Sequence, residues 1–327
     1  MEKQCYQSTE VNFGIFNNAQ NTTVNGGDFS VAGRDVNMYK TYHYLSSNEE
    51  KEIQDWLAAP DCFTNYSTTL NKQVAGTGQW ILKEPAYLQW REIGGILWIQ
   101  GQAGSGKTFL ITGIIEHFRK ASFPTFMIYH YFDICDNSGD KTTFQGLLLS
   151  FLLQLGAQDQ NIHPALKNLH EASKSGLLHF QPTNTELVNT LIEITKDLIQ
   201  KGYQIHIMID ALDECKEKEE VWNFCVKMTS LTSIGIMITS HNHYLAGNKY
   251  FQISLKNNSK VDEDIAIFMD KHISFKSSNL NTEVKKILMK KADGGFRYLD
   301  RQLQSLKKCA NANKVHKALK VFTSPGQ

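Results

Sequence analysis

The segment Gly101-Gln102-Ala103-Gly104-Ser105-Gly106-Lys107-Thr108 constrains this chain more than any other stretch of it. It satisfies GxxxxGK[ST] in full and stands between an apolar run, Ile96–Gln100, and an amphipathic one, Phe109–Lys120. A strand that turns into a helix through glycines can aim successive backbone N–H groups at one point. The helix N-terminus adds partial positive charge at that point. Lys107 adds a full cation, and Thr108 adds a hydroxyl suited to Mg²⁺. Those residue types in that order read as a cradle for a polyphosphate and a divalent cation.

A second motif supplies carboxylates. The apolar run Ile205–Ile209 ends in Asp210-Ala211-Leu212-Asp213-Glu214. The C-terminal ends of strands are where ligands bind in parallel sheets. Asp210 is therefore the candidate Mg²⁺ ligand beside Thr108. Asp213 and Glu214 are candidates to orient or deprotonate an attacking water. Alternatively, both simply cap the helix that follows, where acids are favoured. A third apolar run, Gly235–Thr239, ends in Ser240-His241. That pair is placed to touch a terminal phosphate, or is a plain loop.

Around these motifs, apolar runs alternate with helical periods. Phe126–Phe132 and Phe251–Leu255 are further strand candidates. Thr143–Leu155 and Thr185–Gln200 place their apolar residues on one helical face. The alternation predicts an α/β fold, a mainly parallel sheet covered by helices on both faces. Beyond Lys260 only helical periods remain, at Val261–Ile273, Thr282–Ala292 and Gly295–Leu306. Three regions are expected: a β-prone leader over 1–45, a nucleotide-binding domain over 46–258 and a helical subdomain over 259–327. Within the leader, Asn17–Tyr39 is rich in Asn, Gly and Thr. It reads as a hairpin-like leader or as a strand-pairing segment.

Lys and Arg number 34 against 33 Asp and Glu, so no net basic field points to nucleic acid as a specific partner. The six cysteines form no CxxC pair, which speaks against zinc or a disulfide framework. The N-terminus has no apolar signal core, and no run suffices to span a bilayer. A soluble, cytoplasmic chain without membrane partners is the expectation.

Together the motifs resemble the NACHT-type NTPases of the STAND class, most closely the fungal NLR-like proteins. Trp56–Asp61 and Gly76-Thr77-Gly78-Gln79-Trp80 are similar to the stretch that precedes the phosphate loop there. IMIDALDEC, Ile207–Cys215, is similar to the family's Walker B segment. Ile238-Thr239-Ser240 is similar to its sensor strand, and Lys291–Phe296 to its helical-subdomain motif. The resemblance implies a sensor strand between the phosphate-loop strand and the acidic strand. It implies ATP or ADP with Mg²⁺ as ligands, and a switch in which exchange of ADP for ATP permits assembly with further copies or related NACHT proteins. An interaction module with little or no hydrolysis is the alternative. Two positions depart from the family pattern. His241 stands where Arg is usual, and Arg297-Tyr298 stand where an aromatic commonly follows Phe296. The chain ends at Gln327, before the winged helix and repeats of longer members, which reads as a truncated product or a short regulator.

Overall fold

Five short apolar runs pair side by side, all parallel, in the order Thr125–Tyr131, Gln204–Asp210, Ile234–Ser240, Gly95–Gln100, Phe251–Ser254. The computed structural model describes residues 48–323, except 121–124, 137, 159–160, 175–180, 242–249, 276, 293 and 310–311. The leader 1–45 lies outside the described residues. The chain opens with α1 (Asn48–Leu57), α2 (Phe63–Lys72) and α3 (Pro85–Ile93), then enters β1 (Gly95–Gln100) and α4 (Lys107–Lys120). β2 (Thr125–Tyr131), α5 (Phe144–Gly156), a two-residue hairpin pair β3 (Ala157–Gln158) and β4 (Asn161–Ile162), α6 (Pro164–Lys174) and α7 (Asn184–Gln200) follow. Then come β5 (Gln204–Asp210), α8 (Lys218–Met228), β6 (Ile234–Ser240) and β7 (Phe251–Ser254). Four helices close the chain: α9 (Ser259–His272), α10 (Ser278–Ala292), α11 (Phe296–Lys307) and α12 (Ala312–Thr323).

The period of two along each strand sorts side chains onto two faces. Ile96 and Trp98 of β1, Ile207 and Ile209 of β5, and Ile236 and Ile238 of β6 share one core with α5, α7 and α8. Leu97, Ile99, Met208 and Met237 enter the other, with α4 and apolar residues of α9–α12. Both faces are thus covered, as a parallel sheet requires. β6 lies between β1 and β5, the order expected for the sensor strand. Its register sets Ser240 beside Gln100, and Ile238 beside both Trp98 and Ile209. The C-terminal ends of three strands therefore converge on one edge.

Strand and helix bounds match the sequence periods to within a few residues. Two differences have local causes. Asp213 and Glu214 do not cap a helix, because Leu212–Glu214 forms a separate 3₁₀ turn and α8 starts only at Lys218. The helical stretch after Lys260 holds α12 as well, whose Val315 and Leu319 are buried. Among the described residues no helix is long and apolar enough to cross a membrane.

α7 shows how local sequence fixes an element. Thr183 Oγ1 accepts the Glu186 N–H at 3.3 Å while Glu186 Oε2 accepts the Thr183 N–H at 2.8 Å. This capping box satisfies donors that the helix cannot. Thr183→Ala is expected to cost about 1 kcal/mol, read as a lowered urea midpoint at unchanged m-value.

Candidate functional site

The loop Gly101–Thr108 joins β1 to α4 at the converging edge. Gly101 N–H donates to Ser240 O at 3.2 Å, which ties the loop to the end of β6. Gly104 and Gly106 hold φ of +80° and +92°, the left-handed region that side chains disfavour. A Cβ on Gly104 would lie 2.7 Å from Arg297 Cβ, and one on Gly106 would lie 3.3 Å from the Phe296 ring. Both glycines are therefore required by conformation and by close approach. α4 starts at Lys107, so its first amides have no intrahelical partner and open into the loop.

Lys107 Nζ donates to the loop's own carbonyls, Gly101 O at 2.6 Å and Gln102 O at 3.0 Å. Burial pulls its ammonium below the ordinary range, and Asp213, Asp210 and Glu214 act against that. Thr108 Oγ1 donates to Asp210 Oδ2 at 2.7 Å. Asp210 is 4 % exposed, and burial pushes its carboxyl up, opposed by hydrogen bonds from Thr239 and Thr108 and by the Lys107 charge. A hydroxyl and a carboxylate in contact form a hard-oxygen pair of the kind Mg²⁺ takes. Among the described residues no group of three or more His, Cys, Asp and Glu side chains could hold a metal. A cation here would draw its remaining ligands from phosphate and water.

Thr239, which the sequence marked only as part of the sensor strand, locks this corner. Its Oγ1 donates to Asp210 Oδ1 at 2.5 Å and accepts the Ala211 N–H at 2.9 Å. Ala211 itself sits at φ +54°, a left-handed turn that costs a non-glycine residue on the order of 1 kcal/mol. Ser240 is a correction. Strand alternation turns it to the opposite face, where it is fully buried and its Oγ accepts the Trp98 indole N–H at 2.8 Å. Its hydroxyl does not face the loop; only its carbonyl does. The exposed His241 gives its backbone N–H to Asp213 Oδ1 at 2.9 Å. Glu214 Oε2 accepts the Ile134 N–H at 2.9 Å, and burial pushes its carboxyl up. Gln102 and Ala103 form the exposed tip of the loop.

The residues present fit a phosphate chain. Among the described residues nothing hydrogen-bonds Ser105 Oγ, which is buried in the loop. Such an orphan costs about 1–3 kcal/mol unless a ligand or water satisfies it.

The helices after β7 touch this loop directly. Gly104 O accepts the first amides of α11, Phe296 N at 2.8 Å and Arg297 N at 3.4 Å. α11 has no side-chain cap, so the loop carbonyl takes that place. Beside the contact lies a cleft of about 540 Å³, open in part to solvent. Its apolar walls come from Trp80, Phe109, Leu110, Val261, Phe268 and Phe296. Asp264 closes the cleft by accepting Gly78 N–H at 2.9 Å and Trp80 Nε1–H at 2.8 Å. Burial pushes its carboxyl up. The acidic run Asp262-Glu263-Asp264 disguised this residue as a solvent-facing helix start. The spacing Val261, Asp264, Ile265, Phe268 puts it on the apolar face and could have found it. Asp264→Ala is expected to destabilise the fold by about 2 kcal/mol, because two half-buried donors lose their acceptor; chemical denaturation of the variant measures this.

The family described as Nephrocystin 3, N-terminal, matches residues 76–241, just over half of the chain. The vegetative incompatibility protein HET-E-1 of Podospora anserina is 28% identical over 171 residues, 50% of this chain and 12% of that protein. An ORC1-type DNA replication protein of Cenarchaeum symbiosum (strain A) is 26% identical over 144 residues, 43% of this chain and 32% of that protein. The chain thus spans a third or less of either relative. Among solved structures, a DNA replication initiation factor aligns at TM-score 0.41 and 14% identity, covering 77% of this chain and 66% of that one. Because that family model matches residues 76–241, over the phosphate loop and four of the five parallel strands, the chain belongs to the nephrocystin 3 N-terminal family and is a P-loop NTPase of NACHT/STAND type.

Proposed function

We propose that the chain is a nucleotide-dependent switch that holds ATP or ADP with Mg²⁺ on Gly101–Thr108 and assembles with further copies or related NACHT proteins when ATP replaces ADP. In this reading 46–258 is the nucleotide-binding domain and 259–327 the helical subdomain that responds. The observation that carries it is the Gly104 carbonyl shared with the first amides of α11. Any ligand that reshapes the loop changes the seat of that helix. A ligand shifts such an equilibrium only by its different affinity for the two states.

The loop amides and Lys107 bind the phosphates, and Thr108 and Asp210 hold Mg²⁺. When bound, Mg²⁺ offsets phosphate charge. The base stacks in the apolar cleft beside Phe109 and Phe296. Glu214, whose carboxyl burial pushes up, is the proton acceptor. Asp213 positions the end of β6 through the His241 amide. His241 flanks the terminal phosphate. Size determination by light scattering in MgADP and in MgATP tests the switch. A larger species in ATP alone supports it; one size in both nucleotides, with identical hydrogen-exchange patterns over α9–α12, contradicts it.

One observation favours the second reading, an interaction module with little turnover. Both candidate acids are already engaged, Asp213 with the His241 amide and Glu214 with the Ile134 amide. Phosphate release separates the readings. Glu214→Gln is expected to slow release at unchanged affinity if the chain hydrolyses, and the unmutated protein releases none if it is a binding module.

A further inference from the structure

We propose that the outward face of α10 and α12 binds the sugar–phosphate backbone of double-stranded nucleic acid without regard to sequence. This surface is separate from the phosphate loop, and its role does not rest on the nucleotide reading.

The chain's near-zero net charge conceals it. Residues 278–327 hold eleven Lys and Arg against three Asp and Glu, while the rest of the chain holds 23 against 30. A partner meets the local field, not the total. The contacts gather part of this surplus on one face. His316 Nδ1 of α12 lies 3.4 Å from Glu283 Oε1 of α10, which marks the seam between the two helices. Lys286 and Lys290 stand three and seven residues past Glu283, so helical phase carries them along the same flank over about 10 Å. Lys317 follows His316, on the side of α12 away from the buried Val315 and Leu319. All three lysines are exposed. Among the described residues no carboxylate pairs with them, whereas Lys285, on the other flank of α10, takes Asp270 at 2.7 Å. Lys286 and Lys290 also form a like-charge pair four residues apart, which disfavours a helix until an anion neutralises it.

The surroundings select the anion. A lipid surface is held best by a helix that lays apolar side chains into the headgroup layer. Here Leu280, Val284 and Leu288 of α10 are buried, and among the described residues of α10–α12 Met289 is the only large apolar side chain exposed. A second copy would offer acids that already have partners, such as Glu49 with Lys167 and Glu52 with Lys174, each at 2.5 Å. A phosphodiester backbone asks only for cations and neutral donors at intervals. Asn313, exposed one turn before Lys317, supplies such a donor.

The test is fluorescence anisotropy of the full chain with a labelled, mixed-sequence DNA duplex of about 20 base pairs, between about 50 and 200 mM NaCl. Three neutralised phosphates predict that the logarithm of the binding constant falls against log[NaCl] with a slope of about −3. Lys286→Ala, Lys290→Ala and Lys317→Ala are each expected to reduce that slope by about 1, and the triple variant to bind about tenfold or more weakly. A second duplex of unrelated sequence binds within about twofold. Lys196→Ala, which removes an exposed lysine of α7 on the opposite face of the sheet, changes neither slope nor affinity. The substituted side chains are exposed, so the circular dichroism melts stay in place. A triple variant with unchanged slope and affinity overturns the proposal, as does a folded, unmutated chain that binds no duplex at about 50 mM NaCl. Binding to phosphatidylserine vesicles in place of the duplex would give the face to a membrane. Salt-sensitive self-association without duplex binding, lost in the triple variant, would give it to a second copy. Either result overturns the proposal as well.

Discussion

Lys107→Ala is expected to weaken nucleotide binding by about 100-fold or more while the protein stays folded. The reasoning is electrostatic. Lys107 is the sole ammonium on the loop, and Asp210, Asp213 and Glu214 surround it. Without it, a polyanion would approach a carboxylate cluster with only backbone dipoles to attract it. Losing one partner of a desolvated charge pair costs on the order of 2–5 kcal/mol. The fold has little stake in this side chain. Its acceptors are two carbonyls of its own loop, Gly101 O and Gln102 O. Substituting a residue whose contacts are so local is expected to move the urea midpoint by less than about 1 kcal/mol equivalent. Calorimetry with MgATP measures the affinity, and the circular dichroism melt checks the fold. Undiminished affinity in a folded variant contradicts the role given to this lysine.

Acid is expected to unfold the chain through two buried histidines. Burial lowers His130 from 6.5 to about 3 and His206 from 6.5 to about 4. His130 Nδ1 lies 3.1 Å from Ser150 Oγ and 3.3 Å from Cys62 Sγ. This trio looks like a nucleophile and its base, but burial pushes the Cys62 thiol up and holds the imidazole neutral, so it serves packing. His206 packs against Trp90 and Phe118, with ring centroids 5.3 Å and 4.4 Å away. For both groups the folded value lies below the unfolded one. The unfolded chain therefore binds more protons, and stability falls as pH drops from about 6.5. Each histidine contributes up to about 1.4 kcal/mol per pH unit, and together they remove about 6 kcal/mol by pH 4. Asp210, Asp264 and Glu214 act in the opposite sense, since burial raises them and the folded state takes up their protons first. Comparing His206→Phe with the unmutated protein isolates one histidine from that background. The variant's stability-against-pH curve is expected to be flatter by about 1.4 kcal/mol per unit between pH 6.5 and 4. Parallel curves would show that His206 titrates normally.

The strands were legible because burial on both faces leaves an unbroken apolar run, as in Ile205–Ile209, with a breaker or acid at its end. The phosphate loop was legible because its glycines have no cheaper explanation. Asp210 is where its strand end placed it, facing Thr108. Ser240 and Thr239 were confused because neighbouring strand positions point to opposite faces, and the register against Trp98 decides which looks at the loop. Asp264 was hidden by its acidic neighbours, although helical spacing placed it on the apolar side. The contact between Gly104 and α11 joins residues some 190 positions apart, and no local pattern reports such a meeting. Arg297 was seen in the sequence only as a departure from family habit. Its position against the loop came from tertiary structure.

Equilibrium dialysis of the unmutated chain against labelled ATP with Mg²⁺ tests the central claim most directly. Saturation at one nucleotide per chain, abolished when excess inorganic polyphosphate competes for the loop, is the result expected. A folded protein that retains no label at any ATP concentration would mean that the turn between β1 and α4 is not a phosphate cradle.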